Sequence, residues 1–171
     1  MSTHLLPATR LSPAVLRWLL DLRPGPAATL AATVLAVPDA VETLSSGELV
    51  TAGAALERDG ELLPAGEAAV VGDVLTSAAA LVRVGTADAV AALVAVGRDR
   101  VLVLTPDGHG GQVAGALAAD VGVGAAVASI AEQVGEDAVV LVAVPGADIV
   151  SLPPDDDLAD RVTSRLDGLH P

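Results

Sequence analysis

The segment Asp107-Gly108-His109-Gly110-Gly111 is the part of the chain best furnished for chemistry. His109 is the residue type of a general base and Asp107 that of its orienting carboxylate. The three glycines would let backbone N–H groups face an anion. The setting favours a simpler reading, a hairpin loop between two apolar runs with an exposed histidine. Other routes to catalysis find less. There is no Lys, so no Walker lysine, and no G-x-G-x-x-G follows a strand pattern. G-x-S-x-G is absent, and Ser45, Ser46, Ser77, Ser129, Ser151 and Ser164 have no base close by in sequence. Without Cys there is no thiol nucleophile, disulfide framework or Cys-ligated zinc. His4 and His170 have no second ligand at metal-binding spacing. Asp155, Asp156 and Asp157 lack the spacing of a calcium loop and read as carboxylates at a helix N-terminus. Val121-Gly122-Val123-Gly124 reads as a tight turn rather than an anion cradle. Glu136-Asp137, and Glu57 with Glu61, read as solvated charges. No catalytic residue, metal or cofactor is expected, and the chain reads as a non-enzyme.

The elements that would position these residues follow from hydropathy and punctuation. Ser12-Pro13 starts a helix with Val15, Trp18, Leu19 and Leu22 on one face, ended by Pro24-Gly25-Pro26. Segment 29–37 reads as a buried strand closed by Pro38. Asp39 then caps a short helix over 40–44, and Ser46 a second over 47–52. Segments 54–57 and 61–63 flank Arg58-Asp59-Gly60, a hairpin signal that predicts a small wing. A helix is expected over 67–80, with Val70, Val71, Val74, Leu75 and then Leu81 inward. Strands are expected over 81–84, 89–96, 100–105, 112–119 and 138–144, with a helix over 123–134. Leu158, Val162 and Leu166 step by four along a last helix. Val34 to Ala40 echoes Leu141 to Ala147, each reading as a strand stopped by Pro. Helices mixed with antiparallel hairpins predict an α+β fold: a mixed, mainly antiparallel sheet with helices packed on it. The expected organisation is a single domain over 1–171, in which 138–171 adds a C-terminal strand and helix.

Composition bounds the partners. The 171 residues carry a net charge of −13, and all nine basic residues are scattered arginines. That field repels nucleic acid and anionic lipid. Trp18 is the only aromatic residue, which excludes base-stacking readout and argues against an aromatic-lined ligand pocket. Apolar runs are cut by Asp73, Arg83, Asp88, Asp99, Asp120 and Glu132, so no membrane span is expected. Arg17 and Asp21 interrupt any signal-peptide core, and the expected location is cytoplasmic. Abundant aliphatic surface leaves protein binding as the favoured class.

The landmark order Glu48-Leu49, Gly53-Ala54-Ala55-Leu56, Asp59-Gly60-Glu61-Leu62, Pro64-Ala65 resembles the segment after the first strand of EspG-type proteins, the secretion-associated chaperones of the actinobacterial type VII (ESX) pathway. Upstream, 11–22 and then Thr33-Val34-Leu35-Ala36-Val37-Pro38 look like that family's opening helix and first strand. Downstream, 92–103 looks like its hairpin and 123–134 like its later helix, so the family-like core spans about 11–134. The resemblance implies a non-catalytic cytosolic chaperone that binds the apolar tip of a PE–PPE-type heterodimer. No family contact residue maps onto a matching motif here; the face assigned to the partner is Val127, Ile130 and Val134. The order of residues 54–63, a helix and the 93–104 hairpin also resembles roadblock/LC7-like modules. That likeness implies an edge-strand homodimer regulating a small GTPase. An enzyme using the 107–111 loop is the third reading.

Overall fold

Successive side chains on a strand point to opposite faces of its sheet, and in the middle of this sheet both faces are covered. The computed structural model describes residues 8–169. In chain order the elements are β1 (Thr9–Leu11), α1 (Pro13–Leu22), α2 (Pro26–Val34), α3 (Ser46–Thr51), β2 (Ala55–Arg58), β3 (Glu61–Pro64), α4 (Gly66–Ser77), β4 (Ala80–Gly85), β5 (Val90–Val96), β6 (Val101–Pro106), β7 (Gln112–Ala116), α5 (Val123–Val134), β8 (Val139–Ala143), β9 (Val150–Leu152) and α6 (Leu158–Asp167). Seven strands form one sheet in the order β1-β7-β6-β5-β4-β8-β9, and β2-β3 form a separate ribbon. Every neighbouring pair is antiparallel. The fold is α+β, as the mixture of hairpins and helices predicts.

Alternation sorts the sheet's side chains by size. Leu81, Leu93, Leu102 and Leu104 face one side, where they meet Leu16 and Leu19 of α1 and Val74 and Leu75 of α4. Val82, Val84, Val94, Val103, Val140 and Val142 face the other, against Ala126, Val127 and Ala131 of α5 and Leu158, Val162 and Leu166 of α6. Short side chains on the second face let α5 and α6 lie close. Gly124 makes this closeness visible: a Cβ there would overlap the Ala159 carbonyl oxygen and Thr163 Oγ1 of α6. β8 pairs with β4 and β9 with β8, so the C-terminal segment supplies the last two strands at that end of the sheet.

Several expectations need correction. Segment 29–37 is not a strand. Gly25 and Pro26 open helix α2, whose alanines are strong helix formers, and Ala27, Ala28 and Ala31 are buried. Thr33 Oγ1 donates to the Thr29 carbonyl at 2.9 Å, which satisfies a hydroxyl that would otherwise compete with the helix. The likeness of 33–38 to a first family strand fails for the same reason, and so does its echo of 141–147. No helix forms over 40–44. Asp39 instead accepts a hydrogen bond from Arg17 at 3.1 Å. The cap of α3 is Ser45 rather than Ser46: its hydroxyl accepts from Glu48 N–H while the Glu48 carboxylate accepts from Ser45 N–H, a capping box. Helix α4 stops at Ser77, and Leu81 belongs to β4. In α1 the buried face is Val15, Leu16, Leu19 and Leu20; Trp18 is half-buried and Leu22 exposed. Edge strands β1 and β9 are additional.

Candidate functional site

The loop between β6 and β7 spends its carboxylate on its own backbone. Asp107 Oδ1 accepts from His109 N–H at 2.8 Å and Gly111 N–H at 2.9 Å, and Asp107 N–H donates to the Gly111 carbonyl at 3.1 Å. These bonds, His109 N–H foremost and then Gly111 N–H against an opposing desolvation, hold the Asp107 carboxyl below its usual range. A carboxylate held down in this way is an acceptor that shapes a turn. No hydrogen bond joins it to the His109 imidazole, which is exposed. The open groove of about 460 Å³ beside it is lined by Arg10, Ser12, Glu67 and Asp107, and His109 is not part of it. Asp107 and His109 are therefore near in sequence without forming a base–orienter pair.

The acidic run before α6 is likewise structural. Arg161 Nη2 donates to the Pro153 carbonyl at 2.8 Å and to Asp155 Oδ1, and Asp155 also accepts from Asp157 N–H at 3.1 Å. The Arg161 contact is the main reason that the Asp155 carboxyl lies below its usual range. Among the described residues no three His, Asp or Glu side chains gather where a metal could bind. His4 and His170 lie outside the described residues. Gly122 caps α5 without a side-chain bond, and Gly124 serves the α5–α6 contact.

The face assigned to the partner, Val127, Ile130 and Val134, lies on α5. Val127 is 0% exposed, while Ile130 and Val134 are half-buried against the second core. A helix has one strongly apolar face, and here that face already has its partner in the sheet.

The ribbon β2-β3 has what α5 lacks. Asp59 and Gly60 both adopt positive φ, 55° and 80°, the backbone that a two-residue hairpin requires. The ribbon is moored by buried Ala54 and Ala55, by Leu62 against the first core, and by Ala65 N–H donating to the Ala54 carbonyl at 2.9 Å. Its other face is left outside. Leu56 lies directly across from Leu63, and these leucines are 44% and 38% exposed. Helix α3 packs on β2; its Leu49 is buried and its Val50 is 42% exposed. Among the described residues five large hydrophobics are exposed, the others being Leu22 and Ile149, so three of the five fall on this one excursion. These three form a small group of outward apolar side chains.

Sequence reading found the wing but not its face. The signal was present: Leu62-Leu63 and Ala55-Leu56 are consecutive apolar pairs, and in a two-stranded ribbon one member of each must point away from the core.

No protein-family model matches this chain, and no curated protein matches it.

Proposed function

We propose that this chain is a non-catalytic protein-binding module, a cytosolic secretion chaperone or adaptor of EspG type that holds an apolar, helical client of PE–PPE type. The observation that carries the reading is the outward pair Leu56 and Leu63, with Val50 also exposed on the helix that packs against β2. A chaperone that shields an apolar tip needs a preformed apolar face with a polar rim, and the wing offers both without unfolding anything. The 107–111 loop supports an enzyme poorly, because its carboxylate is committed to backbone N–H groups. A roadblock-like dimer needs a free edge strand. The edges β1 and β9 are three residues long, with Pro13 two residues beyond the first and Pro153-Pro154 directly after the second, a pattern that blunts edge pairing. In this setting the client is a protein, and no nucleic acid, lipid or cofactor takes part.

The test is calorimetric titration of PE–PPE-type heterodimers into the chain and into its Leu56→Thr, Leu63→Thr double variant. Threonine keeps strand propensity and removes the apolar contact. The chain is expected to bind one heterodimer and keep it soluble in coexpression, and the variant to lose at least about tenfold in affinity. Equal binding by both proteins, or no binding across the heterodimers of the same genome, would contradict the proposal.

A further inference from the structure

We draw no further inference here: the strongest candidate, the open groove of about 650 Å³ lined by the β5-β6 turn, the end of β7 and helices α5 and α6, carries nothing, because its Arg98 and Arg100 are matched by Asp99 and Asp167 and nothing in the structure shows what covers it.

Discussion

At the scale of single residues, Ala36 holds an unusual position. It follows α2 with φ of 52°, and the two bonds around it, Val37 N–H to the Ala32 carbonyl at 2.9 Å and Ala36 N–H to the Thr33 carbonyl at 3.1 Å, close a Schellman ending. Glycine is the usual occupant, because a Cβ is crowded there. Ala36 is exposed, so Ala36→Gly changes little besides this strain. It should stabilise the fold by about 0.5–1 kcal/mol after glycine's larger unfolded-state entropy is counted, read as a raised urea midpoint; a lowered midpoint would refute this. Three carboxylates set the acid response. Glu48 is held below its usual range first by the Ser45 hydroxyl, Asp107 first by the His109 N–H and Asp155 first by Arg161. A lowered folded-state pKa gives stability that is fully present above the ordinary carboxylate range and lost as pH falls through the lowered value. Urea midpoints should therefore stay level from about pH 8 to about pH 5 and drop below about pH 4, and the drop should be smaller in Asp107→Asn, which keeps an acceptor but cannot titrate.

Elements differ in how openly the sequence declares them. The hairpin β5-β6 was legible because two dense apolar runs flank Gly97-Arg98-Asp99, and α5 because residues 123–134 close at Gly135 with helical spacing. Helix α2 was not: Thr29, Thr33 and Val34 among alanines have no decisive period, and only burial of the small alanine face against its neighbours selects the helix. Three-residue edge strands carry too few residues for any period, so β1 and β9 exist only through their pairing. The site was legible in part. Sequence located the wing, but it assigned the partner to α5, since an apolar helix face reads the same whether sheet or stranger covers it. Helix α3 supplies a test of the inside-outside division at the wing's root. Leu49 is 2% exposed and its neighbour Val50 faces solvent. Leu49→Ala should cost about 2–4 kcal/mol by equilibrium urea unfolding, and Val50→Ala under about 0.5 kcal/mol. Similar costs at both positions would mean that the wing's root packs differently.

For the molecule as a whole, one sheet with two filled faces accounts for nearly all the aliphatic residues. The sheet's buried leucines serve the α1–α4 side and its buried valines the α5–α6 side. No described helix is long and apolar enough to cross a membrane. Three of the five large hydrophobics exposed among the described residues lie on the β2-β3 ribbon and α3, the surface proposed to take the client. Hydrogen exchange of the chain alone and with a saturating PE–PPE-type heterodimer reads that surface directly. The account predicts slowed exchange across residues 49–63, with the 107–111 loop unchanged. Protection confined to the 107–111 loop or to α5, with the wing exchanging as before, would contradict it.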